Sequence, residues 1–184
     1  SLNFSYDGLV AGTPGQATYY NFTQANESRT PVIYTGANDG MLHAFNADTG
    51  VELFSYVPSS VYSKLSALTS PNYTHRYIVD GNTYAGDAYI GATPSWKTIL
   101  LGTTGGGGKG IFALDITDPT NFTASNVMWE FTDADLGFVH GQAKIALLND
   151  GTWVAIISNG YNSTSDKAYL YVVNLQTGAL IKKI

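Results

Sequence analysis

The sequence predicts an all-β fold, and its composition supplies the first two observations. Charged residues make up only 12% of the 184 residues, whereas soluble proteins usually have roughly 25%. Glycine (20 residues) and tyrosine (13 residues) are abundant instead, and these residue types favour tight turns and strands respectively. Such a composition argues against disorder, coiled coils and helical bundles.

The third observation is an internal repeat, which indicates how the strands are arranged. Three tight turns each join two apolar strands, at residues 46–50, 115–119 and 174–178. A further apolar strand that runs into a glycine precedes each pair, at residues 32–34, 98–101 and 153–157. We expect a fourth strand before each of these, near residues 18–22, 88–91 and 142–148.

Four antiparallel strands that repeat along a chain are typical of β-propeller blades. We therefore predict a partial β-propeller of three four-stranded blades, at about residues 17–57, 76–132 and 140–184. Residues 1–16 precede it as an N-terminal extension, and residues 59–68 form a short helix. Closed propellers have about four to eight blades, so three blades would leave a blade face uncovered at each end.

The turn sequences support these strand boundaries. Asn-Asp-Gly occurs twice between apolar strands, and the repeated turns at residues 46–50 and 174–178 end in Thr-Gly. Tight hairpin turns need a backbone conformation with positive φ, which glycine adopts without a steric penalty. We expect positive φ at four glycines, Gly40, Gly50, Gly151 and Gly178.

Alternation along the strands predicts which side chains form the core. The expected buried residues are Ile33, Leu42, Phe45, Leu100, Phe112, Leu114, Trp129, Ile156, Leu170 and Val172.

Charge and hydropathy exclude several classes of function. Fourteen acidic and nine basic residues give a net charge of −5, and the basic residues are scattered. A nucleic-acid backbone needs clustered positive charge, so we expect no nucleic-acid partner. No apolar run approaches the length of a membrane span, and the absence of cysteine excludes disulfides, thiolate metal sites and cysteine nucleophiles.

No motif predicts a catalytic residue or a cofactor site. The run Thr103–Gly110 resembles a phosphate loop only loosely, because Thr103 stands where the motif needs glycine and Gly110 where it needs Ser or Thr. We expect a mobile or tightly bent loop between strands. The three histidines, His43, His75 and His140, lack zinc-site spacing, and His43 is expected to be structural.

Two kinds of site remain as candidates. Asp133 and Asp135 alternate in an acidic loop, which is a weak calcium pattern because a third ligand is missing. Six Asn-x-Ser/Thr sequons lie in or near predicted loops, where glycans are tolerated. They are Asn3, Asn21, Asn26, Asn72, Asn121 and Asn162.

Several segments carry a resemblance to a known family. The longest is residues 29–45, with the string Gly-Ala-Asn-Asp-Gly-Met-Leu-His-Ala-Phe, and others match in the same order as far as Ile184. These include residues 54–59, 73–75, 79–81, 86–89, 96–97, 105–115, 129–131, 153–155 and 159–160. From about residue 20 onward the chain resembles the β-propeller domain of the PilC/PilY proteins of type IV pili.

The resemblance implies a non-enzymatic extracellular component of a type IV pilus, because family members sit at the pilus tip or outer membrane. They promote pilus assembly, oppose retraction and mediate attachment. Their calcium loop follows the strand that corresponds to residues 179–184, so it would lie beyond Ile184 and no calcium ligand carries over. Expected partners are a pilin-like helical subunit, copies of this chain or the rest of the propeller, and residues 1–16 could reach across to such a partner.

One alternative from a different class stays open. The Thr-Gly turns are quinoprotein-like, since they also occur in dehydrogenases that use pyrroloquinoline quinone. Those enzymes need a complete ring, a central calcium and a stacking floor for the cofactor. Trp96, Trp129 and Trp153 lie on predicted strands, where packing between blades explains them more simply.

Overall fold

Three antiparallel β-sheets pack side by side in the computed structural model, which describes Leu9 and residues 12–184. The first sheet comprises β1 (Val32–Gly36), β2 (Leu42–Asn46) and β3 (Glu52–Tyr56). The central sheet comprises β4 (Thr83–Ile90), β5 (Ser95–Thr103), β6 (Ile111–Asp115) and β7 (Val127–Phe131). The third comprises β8 (Lys144–Leu147), β9 (Trp153–Ser158), β10 (Leu170–Asn174) and β11 (Leu180–Lys183).

Each strand pairs with its neighbour in the sequence, so each sheet is an up-and-down meander of the kind that forms a propeller blade. We call the sheets the first, central and third blades. The short helix expected near residues 59–68 is present as a helical stretch between the first two blades. It consists of a 3₁₀ turn Ser59–Val61, a one-turn α-helix (α2, Tyr62–Leu65) and a second 3₁₀ turn Ser66–Thr69.

The first blade differs from the prediction because it has three strands and not four. The segment expected as a strand near residues 18–22 is a helix, α1 (Gln16–Ala25). Tyr19 and Phe22 are three residues apart and therefore share one side of the helix. Their ring centroids lie 4.4 and 6.4 Å from that of Trp96, so packing against the central blade stabilises the helix. Of the expected extension, residues 1–8, 10 and 11 lie outside the described residues.

The central blade buries both of its faces. On one face, residues such as Ile99 and Ile111 pack in a cluster with Tyr171 of the third blade. On the other face, Leu100 and Phe112 pack with residues of the first blade. Because both faces are covered, β5 and β6 contain consecutive apolar residues where a sheet with one wet face would alternate.

Half of the residues expected in the core are fully buried: Leu42, Leu100, Phe112, Leu114 and Trp129. The others are wrong or only partly right. Ile33 is 56% exposed and Leu170 is 39% exposed, while Phe45, Ile156 and Val172 are partly exposed. In β9 and β10 both sets of alternate positions are apolar, so the pattern cannot show which set faces the neighbouring blade. The set that packs in the cluster with the central blade is Ala155, Ile157, Tyr171 and Val173, although Val154 of the other set is also fully buried.

The expected turn conformations are confirmed. φ is +102° at Gly40, +71° at Gly50, +86° at Gly151 and +73° at Gly178. The two Thr-Gly turns have the same internal bonding, because Asn46 Oδ1 and its counterpart in the third blade each accept two backbone N–H groups.

The glycine-rich run at residues 105–108 is a tightly packed loop. It contains a 3₁₀ turn, Gly105–Gly107, and it lies against the chain at residues 78–81. A Cβ on Gly105 would come within 2.6 Å of the Asp80 carbonyl carbon, and one on Gly107 would overlap the Ile78 carbonyl oxygen. The glycines therefore permit a close contact between two stretches of backbone, which explains the run without a bound phosphate.

We expect Leu114→Ala to lower the free energy of unfolding by about 2–5 kcal/mol, because the side chain is fully buried between the first two blades. Ile33→Ala is the control, since an exposed apolar side chain should change stability by less than about 0.5 kcal/mol. Urea unfolding followed by circular dichroism measures both. Equal losses would show that the interface between the first two blades is not packed as described.

Gly178→Ala should destabilise the protein more than Gly50→Ala. Both residues have positive φ, which costs an alanine about 1–2 kcal/mol. A Cβ at Gly50 would meet no atom of the described residues within 4 Å, whereas one at Gly178 would lie 2.7 Å from Trp129 Cγ. Thermal unfolding of the two variants compares them directly. A smaller loss for Gly178→Ala would contradict the contact between this turn and the central blade.

Candidate binding cleft between the first two blades

A cleft of about 420 Å³ lies between the first and central blades, within the size range of ligand sites. β1 contributes Val32 and Tyr34, β4 contributes residues 85–87, and the segment between α1 and β1 contributes Arg29. Ile116 adds an apolar wall. The cleft thus combines apolar surface with a small number of polar groups.

A chain of hydrogen bonds positions the polar groups of the cleft. Asp87 is 9% exposed and accepts from Tyr19 Oη at 2.9 Å and from Thr98 Oγ1 at 2.6 Å. Arg29 Nη1 donates to Thr98 Oγ1 at 2.9 Å and to the Thr117 carbonyl oxygen at 3.2 Å. Side chains from α1, β4 and β5 therefore hold the guanidinium at the cleft in a defined orientation.

Tyr34 is a neutral donor at physiological pH. Burial raises its pKa to about 12, although the nearby Arg29 guanidinium acts in the opposite direction. Tyr19 behaves similarly, because burial and then the Asp87 carboxylate raise its pKa. Neither phenol ionises near neutral pH, so the charges at the cleft come from Arg29, Asp87 and Glu27.

Sequence reasoning missed these residues because no chemical motif includes them, although Arg29 and Asp87 lie in segments that carry the family resemblance. One signal was available: Asp87 is a carboxylate in the middle of a strand of small and apolar residues, and a buried charge needs partners. The identity of those partners depends on tertiary contacts, since Tyr19 and Asp87 are 68 positions apart.

Asp133 and Asp135, the weak calcium candidates, both contact the ammonium group of Lys183. Lys183 Nζ lies 2.9 Å from Asp133 Oδ1 and also donates to Asp135. This ion pair lowers the pKa of both carboxyl groups and raises that of Lys183. Tyr171 Oη donates to Asp133 as well. Among the described residues, no group of three or more His, Asp or Glu side chains could hold a metal ion.

The three histidines make separate local contacts. His43 Nδ1 lies 2.7 Å from Glu52 Oε1, and its Nε2 lies 2.9 Å from Asp39 Oδ2. His75 Nε2 is 3.3 Å from the side chain of an asparagine in the β1–β2 turn. The ring of His140 stacks on Tyr161. His43 thus connects strand β3 to the β1–β2 turn, which is the structural role expected of it.

The sequons differ in accessibility. Asn21, Asn72, Asn121 and Asn162 are exposed. Asn26 is half-buried and donates to the Phe22 carbonyl oxygen at 2.8 Å. Asn3 lies outside the described residues. Glycosylation stays a prediction at the exposed positions.

The three tryptophans pack in the blade interface. Trp129 Nε1 donates to the Leu175 carbonyl oxygen of the third blade at 2.7 Å, and Trp96 Nε1 donates to the Gly15 carbonyl oxygen at 2.8 Å. Trp96 and Trp153 meet edge to face, with 5.8 Å between ring centroids. Their indoles are only 5–7% exposed, as expected for aromatic packing between blades.

Meandering sheets of three or four strands that stack face to face define this protein as a β-propeller module. The family model described as the PilY1 beta-propeller domain matches residues 6–184. The chain therefore belongs to the PilY1 β-propeller family. In the described part of the chain, no helix is long and apolar enough to cross a membrane.

Comparisons with individual proteins agree with this assignment. The chain is 48% identical over 172 residues to a type IV pilus biogenesis factor PilY1 homolog of Xylella fastidiosa, covering 91% of this chain and 12% of that protein. It is 42% identical to PilY1 of Pseudomonas aeruginosa strain UCBPP-PA14, covering 90% of this chain and 14% of the relative. The crystal structure of the P. aeruginosa PilY1 C-terminal domain superposes with a TM-score of 0.76 at 38% identity, covering 94% of this chain and 34% of that one.

We expect the stability of the protein to fall as the pH rises through the pKa of His43. The hydrogen bond to Glu52 is the largest cause that raises this pKa above 6.5, and Asp39 adds to it against partial desolvation. The folded state therefore binds the proton more tightly than the unfolded chain does. The stabilisation that protonated His43 provides is complete below pH 6.5, the pKa expected in the unfolded chain. It is lost as the pH rises through the raised pKa of His43 in the folded protein.

Urea unfolding at a series of pH values between about 5 and 9 measures this dependence. His43→Gln should remove that loss of stability, whereas the control His75→Gln should retain it. An unchanged pH dependence in His43→Gln would contradict the assigned contacts.

Proposed function

We propose that this chain acts as a non-enzymatic extracellular module of a type IV pilus system, in pilus assembly, adhesion or the filament itself. The observation that carries the proposal is the match of the PilY1 domain to residues 6–184. Relatives with 42–48% identity are named type IV pilus biogenesis factors. The chain spans only 12–14% of the length of those relatives, and we extend their role to it on the strength of the shared domain.

The molecular surface fits an extracellular location. Charged residues are few, and four sequon asparagines are exposed in loops, turns or on α1. A pilin-like helical subunit, copies of this chain or the remaining propeller would be its partners. Exposed apolar side chains on the first and third blades, such as Ile33, Leu170 and Ile184, offer contact surface for them.

The dehydrogenase alternative is less well supported. A quinone cofactor would need a flat aromatic surface open to it, whereas the three indoles are buried between blades. Two of them, Trp96 and Trp129, also donate to backbone carbonyl oxygens. The resemblance of the turns is explained by the blade architecture, which different functions share.

A genetic replacement tests the proposed function. In a piliated strain that encodes this domain, the gene is deleted and then restored either intact or without the coding region for this chain. We expect surface pili, counted by electron microscopy and measured by shearing, to return only with the intact gene. A restored gene with Tyr20→Ala, a change at a 70% exposed side chain of α1, is the control and should restore pili.

Normal piliation without this domain would contradict the proposal. A second assay adds pyrroloquinoline quinone, calcium and a primary alcohol to the purified chain. Enzymatic turnover in that assay would overturn the non-enzymatic assignment and favour the dehydrogenase alternative.

A further inference from the structure

We propose that the cleft between the first two blades receives an extended peptide segment of a partner protein, which pairs with the free edge of β1 and places a carboxylate on Arg29. The proposal goes beyond the pilus role and is independent of it, because it rests on the geometry of the cleft alone. Three features carry it: an edge strand that faces the cleft, an arginine with unused donors, and the size and walls of the cleft.

The first feature is the edge of the first blade. In the other two blades the equivalent strands, β5 and β9, have a partner on each side. Within the part of the chain that the structure describes, β1 pairs only with β2. An edge strand presents backbone N–H and C=O groups to which another extended chain can bond.

The bonding pattern shows which residues face outward. Ala47 N donates to the Pro31 carbonyl oxygen and Ala37 N to that of Met41, so the odd-numbered residues of β1 bond towards β2. Because the pattern alternates in antiparallel strands, the backbone groups of Val32 and Tyr34 point away from β2.

The open part of this edge coincides with the cleft. At the far end of β1, a Cβ on Gly36 would lie 2.6 Å from the Val79 carbonyl oxygen, so the backbone at residue 79 covers that end. The uncovered stretch is therefore Val32–Tyr34, and both named residues line the cleft. A bound strand would take the position that the first strand has in the other two blades.

The second feature is the state of Arg29. The residue is half-buried, yet among the described residues no carboxylate lies within ion-pair distance of it. With the described residues, Nη1 is the only side-chain nitrogen that makes hydrogen bonds, to Thr98 and Thr117, which leaves the donors on Nε and Nη2 for a ligand. A guanidinium with a free pair of parallel donors matches a carboxylate.

The neighbouring acidic residues do not take this role. Asp87 already accepts hydrogen bonds from Tyr19 and Thr98, so its charge is stabilised within the protein. Glu27 is exposed and lines the cleft from the end of the α1 segment. The Tyr34 hydroxyl, neutral at physiological pH, is a further donor beside the guanidinium.

The third feature is the size and character of the cleft, which decides between possible occupants. About 420 Å³ with apolar walls from Val32 and Ile116 suits a short extended segment with one acidic and several small apolar side chains. The last strand of a second copy of this chain is a poor occupant, because Lys182 and Lys183 would bring positive charge to Arg29. A partner protein of different sequence is therefore favoured over a second copy of this chain.

A pair of synthetic pentapeptides tests the proposal. The probe is acetyl-Thr-Val-Asp-Val-Thr-amide, and its control replaces the central Asp with Asn. Titrations of the ¹⁵N-labelled 184-residue chain are followed by nuclear magnetic resonance and by hydrogen exchange. We expect the amides of Val32 and Tyr34 to gain protection on binding, and the Asp peptide to bind about tenfold more tightly than the Asn peptide, as is typical of a charge-assisted pair.

Two arginine variants distinguish a direct contact of Arg29 with the peptide from an effect of the net charge of the protein. Arg29→Gln should bring the affinity for the Asp peptide down to that for the Asn peptide. Arg76→Gln removes the same charge at an exposed position away from the cleft. It should leave the difference in affinity between the Asp and Asn peptides unchanged. Even if Arg29→Gln lowers stability, the comparison of the two peptides on the unaltered chain still decides the question.

Three results would overturn the proposal. They are equal affinity of the two peptides for the unaltered chain, no gain in protection from hydrogen exchange at Val32 and Tyr34, or the same loss of affinity for the Asp peptide in both arginine variants. Full protection of these two amides before any peptide is added would also overturn it, since the edge would then be filled by this chain itself.

Discussion

The structure depends on the burial of both faces of the central blade. β5 and β6 contact the first blade through one set of side chains and the third blade through the other, so neither neighbour can be removed without exposing a continuous apolar surface. A single four-stranded sheet has no interior of its own, and most of the hydrophobic stabilisation comes from these two interfaces. The arrangement also explains why charge is scarce along the strands.

Polar contacts at the edges of the two interfaces give the apolar packing its orientation. On one side, the Glu130 carboxylate of β7 accepts from the Ser59 N–H at 2.9 Å and also from the hydroxyls of Ser59 and Tyr56. On the other side, Asn159 is 3% exposed and bonds to the carbonyl oxygens of Asp135 and Lys167 and to the Tyr169 N–H. These bonds are directional, so they fix how one blade sits on the next where apolar contacts alone would allow sliding.

The candidate cleft follows from the one blade that departs from the repeat. Where the other blades have a first strand, the first blade has α1, which reaches across to the central blade through Tyr19 and Phe22. The helix covers Trp96 but leaves the edge of β1 and the guanidinium of Arg29 beside a cavity. A local change from strand to helix thus creates both the opening and the polar groups that line it.

The sequence by itself determined the all-β class, the three repeats, the short helix near residues 59–68 and the turn glycines, because these depend on local periodicity and on backbone conformations that few residues adopt. It also indicated the protein family, since the long string of residues at 29–45 is specific to that family. The helix α1, by contrast, was expected as a strand, because Thr, Tyr and Phe, which make up most of residues 18–22, are enriched in strands. The contacts of Tyr19 and Phe22 with Trp96 that favour the helix are not visible in the sequence.

Tertiary structure alone decided which faces are buried and where the cleft lies. Ile156 and Ile157 are equally apolar neighbours, and only the position of the central blade makes the second the buried one. Arg29 and Thr98 are 69 positions apart, so no spacing rule could bring them together. Contacts between blades depend on how sheets stack, and that information is distributed over the whole chain and absent from any short segment of it.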